Sequence, residues 1–404
     1  MSAVRTLWLQ ERPARWFLAA HAQGSLGAGA GYIALLLLGY ERIGSAWGAT
    51  AVLLADLLPA MLLGPLLGAL IDRTSRLGGA IVADLIRAAA FGALVFADGA
   101  VAMVALALLA GVGTALFRPS TYALLPGLVA RERIAAANAL FNAVRDSGQL
   151  AGPALAAGLM LAVSPAAVLG VNAVTFALSA LLLVRLRGRV RAPEAAAPDA
   201  PPERLREVLG DRLVRTLIAT SGTVTLCAAT MNVGELVLAQ RDLDAGATGF
   251  ALLVSAYGLG LIGGSLFSGR DGGNVAHRYF AGLLGIGSGM LATALAPNLA
   301  VALLTFAFTG AANGLFSTSS RSMLHRAIPE RVHGRAFGLL DLLDAWGFGL
   351  AVIAGGALAG ALGGRGTFAV AGLALVGVWV AVAFALGELR PARRAALSGS
   401  PARG

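Results

Sequence analysis

The chain of 404 residues contains one cysteine, no lysine and few charged residues of any kind. Because Cys227 has no second cysteine to pair with, no disulfide within the chain can stabilise the fold. Without lysine there is no glycine-rich loop ending in Gly-Lys-Ser or Gly-Lys-Thr, which argues against a pump that hydrolyses ATP. Histidine and cysteine form no metal-binding cluster either. We therefore expect no enzymatic activity, no cofactor and no metal site.

The chain has long runs of apolar residues and few charged residues. Charged residues make up 13% of the chain and apolar residues 57%, with a mean hydropathy of +0.78, whereas a soluble protein carries about a quarter charged residues. Apolar runs of about 20 residues are long enough to cross the hydrocarbon core of a bilayer. They predict an all-α integral membrane protein with twelve transmembrane helices, at residues 15–39, 47–71, 79–97, 100–121, 136–162, 165–184, 213–238, 247–268, 279–296, 299–319, 335–361 and 366–386.

The arginines predict how the chain is oriented. The net charge of +10 could by itself suggest a nucleic-acid partner, but the basic residues cluster in alternate loops. Only Arg42, Arg241 and Arg365 fall in the predicted outer loops, and 25 of the 31 arginines fall in inner loops and tails. This bias places both termini in the cytoplasm and predicts a multi-pass protein of the cell membrane that binds no nucleic acid.

A break in the apolar pattern divides the chain into two halves. Residues 190–210 are rich in proline and charge and lack helical periodicity, which is typical of a linker. Six predicted spans precede this segment and six follow it. The predicted domains are an N-terminal six-helix bundle at 1–187, a cytoplasmic linker at 188–211, a C-terminal six-helix bundle at 212–388 and a cytoplasmic tail at 389–404.

The two halves resemble each other at an offset of about 199 residues. Ala115-Leu116-Phe117 aligns with Gly314-Leu315-Phe316, and Gly68-Ala69-Leu70 has a weaker counterpart in Gly264-Ser265-Leu266. Repeats of six helices with the same orientation predict two bundles related by an axis along the membrane normal. Bundles of that kind build a central cavity that is reached from each side of the membrane in turn.

Two motifs carry a resemblance to the major facilitator superfamily, and the resemblance covers nearly the whole chain. The link between the second and third spans resembles the signature loop of that superfamily, with the pattern Gly68-x-Leu70-Ile71-Asp72-Arg73-x-x-Arg76. The fifth span is similar to the antiporter motif of drug–proton exporters, with the pattern Gly148-x-x-x-Gly152-Pro153-x-x-Ala156-Ala157-Gly158. The resemblance implies a twelve-helix secondary transporter.

Two further segments resemble the branch that holds enterobactin exporters and macrolide efflux proteins. They are Phe117-Arg118-Pro119-Ser120 with the residues that follow it, and Ala83-Asp84-Leu85-Ile86-Arg87 on the third span. The chain departs from many proton antiporters in one respect. The stretch Ala105–Gly113 is wholly apolar and lacks the arginine that those antiporters carry midway along the fourth helix.

The signature loop predicts a gate. The resemblance implies that Gly68 and Asp72 hold the cytoplasmic side shut, with Asp72 facing the N-terminal end of the eleventh helix, where a carboxylate is favoured. Arg73 and Arg76 would pair with acids or lipid phosphates, and the alternative is a solvated turn that obeys the charge bias. For the fifth span, the resemblance implies a leak-proof contact with the eighth span through Gly148, Gly152 and Pro153. The alternative there is ordinary small-residue packing.

Carboxylates inside spans predict the proton-coupling site. Asp56 lies in the second span, and Asp341 and Asp344 lie three residues apart on one face of the eleventh. Charge within a membrane is costly, so these side chains should face a cavity or a partner. The resemblance implies that the second and eleventh helices are neighbours, and carboxylates so close together cannot all be ionised. One of them should therefore carry the exchanged proton.

Polar residues on the other spans predict the substrate cavity. Arg145 lies on a polar stripe of the fifth span and corresponds to Asp344 through the repeat, so the two could pair across the cavity; a permanent pair of Arg145 with Asp146 is the alternative. His21 could relay protons or fill space, and Glu235 could be interfacial. The predicted lining residues are His21, Gln23, Asn142, Arg145, Asp146, Gln149, Asn232, Glu235 and Asn313.

Together these features predict a secondary active transporter that exports a small organic molecule, such as a drug, macrolide or siderophore, in exchange for protons. Its partners would be that substrate, protons and the lipid bilayer, and it would work as a monomer. An importer or uncoupled facilitator of a metabolite is the first alternative. A transporter-like membrane sensor is the second.

Overall fold

The computed structural model describes residues 11–72, 75–130, 133–190, 212–268, 274–327 and 333–387. The chain divides into two compact units, Met1–Pro198 and Asp199–Gly404. The division falls within the predicted linker. Residues 191–211 of that linker and the predicted tail 389–404 lie outside the described residues, so the proposed domain limits stay a prediction.

The first unit consists of consecutive helices joined by short turns. Ser75 and Ser164 begin α3 and α6, since their hydroxyls accept hydrogen bonds from the amides of Gly78 and Ala167 at 3.0 and 3.3 Å. Gly44, with φ of 76°, ends the first helix in the left-handed conformation that favours glycine. The helices are α1 (Arg12–Ile43), α2 (Ala46–Asp72), α3 (Arg76–Leu94), α4 (Ala100–Leu124), α5 (Ile134–Leu159) and α6 (Pro165–Val184).

The second unit repeats this plan with two irregular helices. The first of them is interrupted at Thr230 and ends in a π-helical turn, Leu238–Asp242. The last is broken at Gly363, whose φ of 72° and ψ of −176° are not helical. The helices are α7 (Arg212–Asp242), α8 (Gly246–Ser268), α9 (Val275–Ala294), α10 (Leu299–Ala327) and α11 (His333–Gly387).

The all-helical membrane fold is confirmed. Within the described residues there is no strand, and nine helical segments are long and apolar enough to cross a membrane. The α11 segment among them, Trp346–Phe384, contains the break at Gly363 and so belongs to two helices. The more polar α5 and α9 are not among the nine, and the count of twelve spans therefore stays a prediction.

Glycines let the helices of each unit approach closely. In the first unit α4 packs against α2 and α3, and α1 packs against α5 and α6. In the second unit α10 packs against α8 and α9, where a Cβ on Gly260 or Gly264 of α8 would meet the backbone of Ala307 or Ala311.

Candidate transport site

Asp56 provides an unpaired acid inside the first unit. It lies in the first half of α2, and its Oδ1 is buried with no hydrogen-bond partner in the described part of the chain. The backbone at Asp56 is in close contact with α4: a Cβ added at Gly111 of α4 would lie 2.9 Å from the Asp56 Cα. The charge of Arg87 acts on Asp56 from α3. This carboxylate can therefore take up a proton within the span without breaking a hydrogen bond at Oδ1.

Asp84 and Arg87 form a buried ion pair across one turn of α3. The guanidinium carbon of Arg87 lies 4.0 Å from the ring centroid of Phe117 on α4 and 4.1 Å from that of Phe176 on α6. The second carboxylate oxygen of Asp84, Oδ2, is buried without a hydrogen-bond partner among the described residues. These two residues belonged to a motif that resembles an exporter branch, and they were not predicted as a site. The available signal was a pair of opposite charges three residues apart inside a predicted span.

His21 lies in a cluster of aromatic rings rather than on a polar face. Its ring centroid is 3.9 Å from that of Phe141 on α5 and 6.2 Å from that of Phe117 on α4, and its Nε2 is buried without a partner among the described residues. Gln23, on the same helix, donates a hydrogen bond to the Thr175 carbonyl of α6 at 2.8 Å. Both side chains thus contact helices of their own unit, and their predicted place in the substrate cavity stays a prediction.

The polar stripe of α5 forms a hydrogen-bonded chain with α4. Arg145 contacts the Asp146 Oδ1 through Nε at 3.0 Å and Nη2 at 2.9 Å, and its Nη1 donates to the Tyr122 hydroxyl at 2.9 Å. Tyr122 in turn donates to the Asn142 Oδ1 at 2.8 Å. Gln149, one turn further along, is exposed. The neighbouring pair of Arg145 with Asp146 is thus present, and a pairing with Asp344 stays a prediction. Tyr122 was not predicted, because a lone aromatic residue near a helix end carries no polar pattern.

Gly148 and Gly152 of α5 pack against α1. A Cβ on Gly148 would lie 2.6 Å from the Ser25 Cβ, and a Cβ on Gly152 would lie 2.5 Å from the Gly29 Cα. These glycines therefore pack against the first helix of the same unit. Their predicted contact with the eighth span stays a prediction. Pro153 is buried beside them within α5. Helical spacing identified the face of α5 that carries small residues, but it did not identify the helix that packs against that face.

A second polar cluster lies in the second unit, where α7, α8 and α10 meet. Asn313 of α10 donates to the Tyr257 hydroxyl of α8 at 2.5 Å and accepts a hydrogen bond from Ser317 at 3.1 Å. Glu235 of α7 is 6% exposed, so it is buried within this unit, and its cavity-lining role stays a prediction. Asn232 donates to the Ala229 carbonyl at 2.8 Å, beside the interruption of α7 at Thr230. Tyr257 was not predicted.

The gate and the other predicted proton sites are described only in part. Asp341 and Asp344 lie in α11, and Gly68 and Asp72 lie in the last turns of α2, but the side chains of all four are outside the described structure. Arg73 is outside it altogether. Arg76 donates to the Ala123 carbonyl at the end of α4 at 3.0 Å, so it stabilises the first unit. The gating and pairing roles of these residues stay predictions.

Comparison with known proteins identifies the family. The chain is 26% identical to an uncharacterized MFS-type transporter of Bacillus subtilis (strain 168), YfiS, over 92% of this chain and 93% of the relative. It is 27% identical to the multidrug efflux pump Tap of Mycolicibacterium fortuitum, over 89% of this chain and 93% of that protein. The crystal structure of a bacterial homologue of the human lysosomal transporter Spinster, inward-facing and occupied, superposes with a TM-score of 0.73 at 14% identity over 93% and 96% of the two chains.

The sequence model of the Major Facilitator Superfamily matches residues 17–234 and again residues 218–403. Together the two matches cover both units of the structure. The chain is therefore a multi-pass membrane transporter for a small-molecule substrate, and it belongs to the Major Facilitator Superfamily.

Proposed function

We propose that this transporter exports a small organic molecule in exchange for protons, and that Asp56 carries the exchanged proton. The observation that carries the proposal is the Asp56 carboxylate, whose Oδ1 is buried inside a membrane-spanning helix without a hydrogen-bond partner in the described structure. An unpaired charge in that setting costs several kcal/mol, on the order of 3 or more. A carboxylate that gains and loses a proton as the site opens to each side avoids this cost in one of its two states.

The neighbourhood of Asp56 suits a reversible proton site. The charge of Arg87 acts on it and favours release of the proton, while the lack of a hydrogen bond at Oδ1 favours uptake. Arg87 is itself held by Asp84 and by the rings of Phe117 and Phe176.

Export of drug-like compounds is supported by the relatives and by the fifth span. Tap is a multidrug efflux pump, and the α5 pattern of Gly148, Gly152 and Pro153 resembles that of exporters. We further propose that the protein lies in the cytoplasmic membrane with both termini inside, works as a monomer and has no enzymatic activity. Asp341 and Asp344 of α11 are proposed as additional proton sites, and Gly68, Asp72 and Arg73 as parts of the cytoplasmic gate.

Transport by inside-out membrane vesicles tests this function. The vesicles come from a host that lacks its own exporters, and an acid interior is imposed while potassium and valinomycin hold the membrane potential at zero. Three labelled probes are offered: ethidium, tetraphenylphosphonium and chloramphenicol. The native protein should accumulate at least one probe, and Asp56→Asn should lose the accumulation that depends on the pH gradient.

Asp98→Asn is the matched control, because Asp98 is an exposed carboxylate in the turn before α4. It should transport as the native protein does. If the native protein accumulates none of the three probes, or if Asp56→Asn accumulates them like Asp98→Asn, the proposed function is wrong. Uptake by right-side-out vesicles instead would point to an importer.

A further inference from the structure

The turn that follows α6 carries three exposed arginines, Arg185, Arg187 and Arg189. The helix before it, Pro165–Val184, contains no charged residue. None of the three guanidinium groups forms an ion pair with an acid in the described part of the chain. One end of an uncharged membrane-spanning helix therefore carries a concentrated positive charge that its own unit does not neutralise.

This turn is an ordered part of the first unit. The side chain of Leu186 is fully buried in the core of that unit. The amide of Arg187 donates to the Val184 carbonyl at 3.1 Å, and the amide of Arg189 donates to the Leu186 carbonyl at 3.0 Å. Gly188, with φ of 73°, supplies the left-handed residue between them. Because the backbone is already fixed, a ligand of the arginines need not order it.

An aromatic ring orients the first of these arginines. The guanidinium carbon of Arg185 lies 5.2 Å from the ring centroid of Trp16 on α1, and Trp16 is itself 38% exposed. A guanidinium that stacks on a ring keeps the N–H groups along its edge available for an anion. Tryptophan and arginine together at the end of a span are typical of the headgroup region of a bilayer.

An exposed apolar stripe of α6 leads to Arg185. Val174, Leu178 and Leu181 precede it at successive spacings of four, three and four residues, so the four side chains share one face of the helix. Val174 is 66% exposed and Leu181 65%, so the described chain leaves this face open. The helix rises about 16 Å from Val174 to Arg185, which is close to the depth of one leaflet of the hydrocarbon core, about 15 Å.

We propose that the arginine turn, Trp16 and the apolar stripe of α6 form a binding site for one anionic phospholipid. The arginines donate hydrogen bonds to its phosphate, and an acyl chain lies along the stripe. A zwitterionic lipid fits less well, because its own cationic group offsets the phosphate charge. A soluble phosphate fits less well, because it has no acyl chain to cover the stripe. The site is independent of the proposed proton exchange and holds the ends of α1 and α6 together.

Lipid binding to the purified full chain in detergent tests the site. Native mass spectrometry counts the bound lipids while delipidated protein is titrated with dioleoyl-phosphatidylglycerol or with dioleoyl-phosphatidylcholine, which has the same acyl chains. The native protein should bind the first anionic lipid about tenfold more tightly than the first zwitterionic one. Arg185→Gln and Arg187→Gln should each weaken binding of the anionic lipid about fivefold. Neither substitution should change binding of the zwitterionic lipid.

Arg241→Gln is the matched control, because it removes the same charge from an exposed arginine in the π-helical turn of α7. It should bind both lipids as the native protein does. Arg185→Lys keeps the charge and loses the planar group that stacks on Trp16, so it should bind the anionic lipid more tightly than Arg185→Gln does. A monodisperse elution profile verifies that each variant is folded.

Three results would overturn the lipid site. The native protein binds the two lipids equally, Arg185→Gln and Arg187→Gln bind the anionic lipid like the native protein, or Arg241→Gln weakens it as much as they do. Glycerol 3-phosphate serves as a competitor without acyl chains, and displacement of the lipid at equal concentration would identify a site for a soluble phosphate instead. A native protein that retains the anionic lipid but shows no gradient-driven transport would contradict the proton exchange and leave the lipid site standing.

Discussion

Asp84 and Arg87 form an ion pair that is enclosed by the helices of a membrane-spanning bundle. Both side chains come from α3, and the rings of Phe117 and Phe176 cover the two faces of the guanidinium. Such a pair gains cation–π and hydrogen-bond energy that offsets part of the cost of removing both charges from water. Its stability depends on the completeness of that enclosure.

Removing one member of this buried pair should therefore lower the free energy of unfolding more than removing one member of an exposed ion pair. Asp84→Asn removes the carboxylate that pairs with the buried Arg87 and should cost about 3–5 kcal/mol. Asp146→Asn breaks a pair whose acid is 56% exposed and should cost no more than about 1 kcal/mol. Unfolding of the detergent-solubilised protein by denaturant measures both. Equal losses would show that the Asp84–Arg87 pair contributes no more than a surface pair.

The α1–α5 contact should tolerate no added methyl group. Gly152→Ala places a Cβ 2.5 Å from the Gly29 Cα, so the two helices must move apart at a cost of about 1–3 kcal/mol. Gly158→Ala, on the same helix, meets nothing within 4 Å and should be neutral or stabilising by up to about 1 kcal/mol. Thermal unfolding of the two variants side by side tests the difference. A loss of stability in Gly158→Ala that equals the loss in Gly152→Ala would contradict it.

Two of the arginines predicted on the outer side donate hydrogen bonds to carbonyl groups at the C-terminal ends of helices. Arg42 Nη2 donates to the Val95 carbonyl at 3.0 Å after α3, and Arg365 Nη1 donates to the Ala294 carbonyl at 3.3 Å at the end of α9. Arg42→Ala should cost about 1.5–3 kcal/mol, because charged donors are lost from carbonyls at a helix C-terminus. Arg241→Ala, at an exposed position of the π-helical turn of α7, should change the free energy of unfolding by no more than about 0.5 kcal/mol. A comparable loss in both variants would mean that Arg42 acts through charge alone.

His21 should be replaceable by another aromatic residue. Its Nε2 has no hydrogen-bond partner in the described structure and its ring stacks on Phe141, so His21→Phe removes an unsatisfied buried atom. The variant should be as stable as the native protein or more stable by about 1 kcal/mol. It should also keep gradient-driven transport. Loss of that transport in a folded His21→Phe protein would restore His21 as a proton relay.

The sequence predicts the fold because the bilayer imposes a length on each helix. Apolar runs of about 20 residues locate α2, α4 and α8, and the proline-rich segment marks the division between the two units. The irregularities of α7 were not predicted, whereas the break at Gly363 falls between the predicted spans 335–361 and 366–386. These irregularities depend on side-chain bonds such as that of Thr230 to the Cys227 carbonyl, which apolar periodicity does not report.

The candidate sites were predicted less well, because helical spacing assigns residues to a face without naming the neighbour of that face. Asp56 was found because charge in a span is conspicuous. His21 and Gln23 were placed on a cavity-lining face, and in the structure that region meets aromatic rings and α6. Tyr122 and Tyr257 were missed because each acts through a hydroxyl that bonds to another helix, and only the packing brings those helices together.

The most direct test of the central claim is proton movement driven by substrate. Proteoliposomes containing a trapped pH-sensitive dye receive an outward gradient of whichever probe the native protein transports. We predict that the native protein and Asp98→Asn move protons inward as the probe leaves. Asp56→Asn should move none while still exchanging labelled for unlabelled probe. Proton movement by Asp56→Asn at the native rate would contradict the assignment of Asp56 as the residue that carries the proton.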